Sequence, residues 1–153
     1  MATATEQDTL AVINKLYEVL NERDIVTVDT VASLIAEDAV WIEMPTGAEW
    51  IGPEPIRLNM QRWAEACPDT RLVITNLVVS GDQAVIEFHL PGTNTGPLHT
   101  PGGQIPATGR PIDVKMIEVV KIANGKAVSG RTYYDLVSTL GEFGLMPEVT
   151  RPY

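Results

Sequence analysis

Basic residues are scarce in this sequence. Eleven Lys and Arg stand against 20 Asp and Glu, giving a net charge of −9. Nucleic-acid binding needs clustered cations that displace counterions from phosphates. The basic residues here are scattered along the chain, so nucleic acid is not an expected partner. An anionic membrane surface is disfavoured for the same reason. Cysteine occurs once, as Cys67, so no internal disulfide can form, which fits a reducing compartment. Cys67 closes a predicted helix just before Pro68 and reads as a structural thiol rather than a nucleophile. The two histidines, His89 and His99, are too few for a standard zinc site, and neither CxxC nor HExxH is present. No metal is therefore expected. Apolar runs stop after four or five residues, far short of the ~20 that a membrane span needs. The opening MATATEQDTL lacks the basic and apolar regions of a signal peptide, which makes the cytoplasm the default location. There is no internal repeat and no low-complexity tract.

What is present fits one domain of 153 residues, with short flexible termini at 1–4 and 146–153. Residues 5–22 carry Leu10, Ile13, Leu16, Tyr17 and Leu20 at helical spacing. Residues 27–36 read as a second short helix and 39–44 as a strand. Gly52-Pro53 opens a third helix, since proline is tolerated in a first turn, and it ends near Cys67. From there the period changes to two. Residues 71–79 and 84–90 form a hairpin, and 91–111 is a long loop rich in Pro, Gly and Thr. Residues 112–122 and 126–136 pair across Asn124-Gly125, a strong hairpin signal, and 136–143 make a last helical turn or two. The predicted fold class is α+β, with helices segregated to one side of a curved antiparallel sheet.

Two carboxylates sit where apolar residues would be expected. In 39–44, Ala39, Trp41 and Glu43 share one face, against Val40, Ile42 and Met44. Glu43 is either a solvent-edge residue or a working acid/base. In 112–122, Val114, Met116, Glu118, Val120 and Ile122 share one face, placing Glu118 in the middle of an apolar row. An unpaired charge there is costly, so Glu118 must be paired, hydrogen-bonded or protonated. Either a bulge turns it outward, or the row lines a cavity into which it projects. Thr132 and Tyr134 share a face of the last strand. Asp135 is a catalytic candidate or the cap of the terminal helix. Tyr17 is core, or a hydroxyl donor within the core. His89 shares a face with Val85 and Glu87, and is a surface histidine or a pocket residue. Trp41 is a packing residue or a cavity wall.

Three strings carry a family resemblance over nearly the whole chain: EDAVWIEMPTGAEWIGPEPI, PGTNTGPLHTPGGQIPATGRPIDV and NGKAVSGRTYYDLVSTLGEFGL. They resemble the SnoaL-like polyketide cyclases, in the superfamily of nuclear transport factor two, ketosteroid isomerase and limonene epoxide hydrolase. The resemblance implies a cone-shaped α+β barrel around an open apolar pocket, a homodimer, and cofactor-free chemistry. WIEMP resembles the epoxide hydrolase string that holds the attacking water, with Trp41 at the aromatic position and Glu43 at the amide position. Glu118 falls where the cyclases place a pocket histidine. The catalytic aspartate that both families keep in the final strand is Thr132 here, which is the main departure. His89 is the nearest candidate for the epoxide hydrolase Arg/Asp pair.

The expected function is cofactor-independent acid–base chemistry on a hydrophobic small molecule of polyketide, terpenoid or steroid-like type, by cyclisation or isomerisation. Glu43, Glu118 and Asp135 are the catalytic candidates. Tyr17, Trp41, His89, Met116, Thr132 and Tyr134 are the substrate-binding candidates. Epoxide hydrolase-like water addition is one alternative, and a non-catalytic small-molecule-binding protein is another.

Overall fold

A computed structural model describes residues 4–22, 25–100 and 102–146. Most of the termini expected to be flexible lie outside these residues. Helices α1 (Ala4–Glu22) and α2 (Ile25–Ser33) lead into strand β1 (Ile35–Glu43). A turn and the short strand β2 (Ala48–Ile51) precede helix α3 (Pro53–Ala66). The remainder is β3 (Val73–Ser80), β4 (Gln83–Thr93), β5 (Leu98–Thr100), β6 (Gly103–Ile105), β7 (Pro111–Ala123), β8 (Lys126–Tyr134) and α4 (Leu136–Glu142). Six strands form one sheet in the order β2-β1-β8-β7-β4-β3, and β5 and β6 form a separate hairpin. The expected α+β architecture is present, with helices packed on one face of the sheet.

Burial explains the sidedness. Along β7, residues 112, 114, 116, 120 and 122 are buried and point into the core, as strict alternation demands. On β4 the inward residues are Ala84, Ile86 and Phe88. Helix α1 covers them with Thr9, Ile13, Leu16 and Tyr17, spaced four, three and one apart. Leu10, expected in this stripe, is exposed at 37%; Thr9 takes the inward position and bonds the Gly81 carbonyl at 2.9 Å.

Several boundaries differ from the sequence reading. Strand β1 starts at Ile35, so the end of the expected second helix is strand instead. Strand β2 falls where the sequence reading assigns no element, and the β5–β6 hairpin falls within the expected 91–111 loop, because three- and four-residue strands carry too few alternations to register. The pairing of β1 with β8 is parallel, and it sets Trp41 beside Gly130 and Glu43 beside Thr132. A Cβ at Gly130 would lie 2.4 Å from the Trp41 indole. Only glycine lets that ring lie flat across β8.

The bulge that could have turned Glu118 outward exists, but on the other strand. Between Lys121 and Ile122 the register skips Val128 of β8, while the alternation along β7 continues unbroken.

Candidate active site

Glu43, Thr132 and Glu118 lie in one cross-strand row on the inner face, through the pairs Glu43–Thr132 and Glu118–Thr132. With strands about 4.8 Å apart, the two glutamate backbones are separated by roughly 10 Å, with the threonine between them. Both carboxylates line a cavity of about 160 Å³. Its walls include Trp41, Trp50, Trp63 and Phe88, so every tryptophan of the chain faces it.

Glu118 is held from two sides. The Tyr17 hydroxyl donates to Oε2 at 2.5 Å, and the Thr132 hydroxyl donates to Oε1 at 3.1 Å. Thr132 Oγ1 in turn accepts from the Trp41 indole N–H at 3.0 Å. The order Trp41, Thr132, Glu118, Tyr17 is thus a continuous hydrogen-bonded relay from β1 across β8 and β7 to α1. Tyr17 is 3% exposed and packs edge-on against Phe88, with centroids 5.9 Å apart. Glu43 also accepts twice, from Tyr134 Oη at 2.6 Å and from Thr46 Oγ1 at 2.6 Å.

Desolvation decides the protonation behaviour of this set. Burial pushes the Glu118 carboxyl above its ordinary range, against the opposing pull of the Tyr17 and Thr132 hydrogen bonds. Burial, together with the Glu118 charge and hydrogen bond, holds the Tyr17 phenol well above its usual value. Tyr134 is pushed up by burial first and by Glu43 second. Both phenols therefore keep their protons at neutral pH and act as donors.

The Glu118 shift makes a stability prediction. Its folded-state pKa lies above the unfolded value of about 4.3. The folded form thus holds the proton more tightly, and the associated stability is full below the unfolded value and lost as pH rises through the folded one. Wild type should lose stability across that window while Glu118→Gln does not. The Tm of the variant minus that of wild type should grow from about pH 4 to about pH 8. A difference that stays flat or shrinks, measured by circular dichroism melts, contradicts an inward, desolvated Glu118.

Of the residues singled out from the sequence, Glu43, Glu118, Trp41, Met116 and Thr132 line the cavity. Tyr17 and Tyr134 reach its carboxylates through their hydroxyls. Two expectations are corrected. His89 belongs to the opposite face of β4, where Nδ1 lies 2.6 Å from Asp113 Oδ1, because the inward positions of that strand are Ile86 and Phe88. Asp135 follows the end of β8 and caps α4, accepting from the Ser138 N–H at 3.0 Å. Both line a depression on the outer face of the sheet. The sequence reading missed Thr46, Trp50 and Trp63. Ile56, Met60 and Trp63 stand at helical spacing on α3, which could have revealed the last. Among the described residues no cluster of His, Cys, Asp and Glu could hold a metal ion. No described helix is long and apolar enough to cross a membrane.

A curved sheet closed on one face by helices, with polar groups converging inside an aromatic cavity, defines the ketosteroid isomerase-like class of fold. Residues 13–130 match the model of the SnoaL-like domain. The chain belongs to that family. It is similar to a candidate SnoaL-like polyketide cyclase from Jannaschia sp. CCS1, with 20% identity and a TM-score of 0.83 over 96% of this chain and 99% of the other. It is also similar to IdmH of Streptomyces antibioticus, described as a candidate polyketide cyclase, with 26% identity and a TM-score of 0.69 over 89% and 98%. A third relative is a ketosteroid isomerase-like protein of Catenulispora acidiphila, solved in complex with trimethylamine, with 20% identity and a TM-score of 0.69 over 88% and 93%. No curated protein matches the chain.

Proposed function

We propose that this protein is a cofactor-independent acid–base enzyme that transfers a proton next to a carbonyl of a hydrophobic small molecule, leading to isomerisation or cyclisation. The observation that carries this reading is the placement of two carboxylates, in different environments, on one wall of an apolar cavity. Glu43 acts as the base and takes the proton. Glu118, whose affinity for a proton is raised by burial, acts as the acid that meets the developing oxyanion. Tyr17 and Thr132 fix its carboxyl plane. General acid–base catalysis of this kind contributes about 10²–10⁴-fold, and donors in a dry site act more strongly than in water. A cavity near 150 Å³ accommodates a benzene-sized ring, so the 160 Å³ here holds one ring of the substrate at a time.

The experiment is exchange of α-protons for deuterium in single-ring enolisable ketones, followed by NMR. Exchange should be enzyme-dependent, and kcat/KM should fall on the alkaline side as Glu118 loses its proton. Glu118→Gln, whose amide still donates, should remove that alkaline limb. A rate that rises through the same titration would reverse the two roles. No exchange above buffer across the ketone panel, with ligand binding intact, would favour a binding protein.

Homodimerisation is part of the same proposal. Val78, Val85, Ile117 and Tyr133 are exposed together on the outer sheet face, which supports that face as the contact. Sedimentation equilibrium should give twice the chain mass, and Ile117→Lys should shift it toward the monomer. Cytoplasmic residence remains part of the proposal.

A further inference from the structure

The cavity has an unusual charge balance. Its lining includes two glutamates and no Lys, Arg or His. Among the described residues, neither Glu43 nor Glu118 forms an ion pair with a cationic side chain. Their partners are hydroxyl groups, which orient a carboxylate but do not neutralise it. The remaining walls are rich in aromatic side chains, Trp41, Trp50, Trp63 and Phe88. Aromatic faces carry negative potential and attract cations, tryptophan most strongly. Glu43, a carboxylate with no cationic partner, therefore sets a negative field on a space the size of one ring, lined by aromatic side chains and without an opposing cation. That field opposes a carboxylate or phosphate and favours a positive nitrogen.

We propose that the cavity selects ligands with a protonated amine on a compact apolar frame, and rejects anionic ones. The proposal deepens the acid–base reading and rests on it for the identity of the site. An ammonium group would sit against Glu43 and the indole faces, with its apolar part toward Phe88 and Met116. The ionised base and the cationic substrate then stabilise each other before any proton moves.

Benzylamine, benzyl alcohol and benzoate form a test set of nearly equal size and different charge. Since all three tryptophans face the cavity, their fluorescence excited near the red edge reports occupancy directly. Benzylamine at neutral pH should bind at least about tenfold more tightly than benzyl alcohol, in line with a desolvated cation–π contact. Benzoate should bind more weakly than either. In Glu43→Gln the preference for the amine over the alcohol should drop by about tenfold. Equal affinity for amine and alcohol, or tighter binding of benzoate, overturns cation selection but leaves the cavity as the ligand site. Absence of any saturable quenching by all three overturns both the selection and the site. A preference that survives unchanged in both Glu43→Gln and Glu118→Gln likewise overturns it, because the charge would then be read elsewhere.

Discussion

Replacing Glu43 with glutamine should slow α-proton exchange by about 10²–10⁴-fold while leaving the fold intact. Glutamine has almost the same shape, and its amide oxygen still accepts from one of the two hydroxyls, Tyr134 or Thr46, that orient the side chain. What it lacks is the ability to take a proton. The loss should fall on kcat more than on KM for an uncharged ketone, since the wall of the cavity is unchanged. Unfolding curves should overlay those of wild type to within about 0.5 kcal/mol, the usual range for a change away from the packed core. Activity within about threefold of wild type would remove Glu43 from the base role. General base catalysis is expected to matter by at least two orders of magnitude. Such a result would mean that another group takes the α-proton.

The second large effect concerns stability, and it lies in the loop that follows β4. Asn94 is 1% exposed. Its amide donates to the Ala66 carbonyl at 3.0 Å and to the Gly96 carbonyl at 2.9 Å. Its oxygen accepts from the Thr108 N–H at 2.8 Å and from the Thr108 hydroxyl at 2.9 Å. One side chain therefore ties the C-terminal end of α3 to both ends of the 94–108 excursion. Gly96 completes the clamp: its N–H donates to the Ala66 carbonyl, and a Cβ there would lie 1.9 Å from the Glu65 carbonyl oxygen. Asn94→Ala leaves several of these groups without a partner, at about 1–3 kcal/mol for each that stays buried. We expect a total near 4 kcal/mol and a fall in Tm of about 10 °C. Asn94→Asp keeps the two acceptor bonds, loses the two donated ones, and should fall between. Thermal melts followed by circular dichroism measure both. A change under about 2 °C for Asn94→Ala would mean that water replaces the amide and that the loop is not clamped by it.

The inward turn of Glu118 was legible from the sequence because β7 is long, thirteen residues, and buried on alternate positions. A single polar residue in such a row stands out. Glu43 was legible as a residue on the face of Trp41, but its partnership with Thr132 and Glu118 was not. That row depends on parallel pairing between β1 and β8, segments about ninety residues apart, and no local pattern encodes it. The resemblance to cyclases and epoxide hydrolases marked Thr132 as a departure, a position where an aspartate is missing. In the structure it is the residue that joins the indole N–H of Trp41 to Glu118. The departure is thus filled by a hydroxyl that relays a hydrogen bond rather than by a second charge.

The misplaced residues have equally specific causes. Strand alternation put His89 with Val85 and Glu87, which is the outer face; only the family comparison drew it toward the pocket. Asp135 stands one residue past β8, where the chain has left the strand and a side-chain oxygen is needed at the start of α4. Trp50 was hidden because β2 has four residues and follows a turn. Its place beside Trp41 becomes visible only through the β1–β2 register.

The most direct measurement is the titration of the Glu118 carboxyl by carbon-detected NMR in the purified protein, with the signal assigned by its disappearance in Glu118→Gln. It needs no substrate. A desolvated carboxyl on the cavity wall should titrate clearly above the free value of about 4.3, and a saturating amine ligand should move its chemical shift. Titration at or below the free value, with no response to ligand, would place Glu118 in solvent and contradict the account.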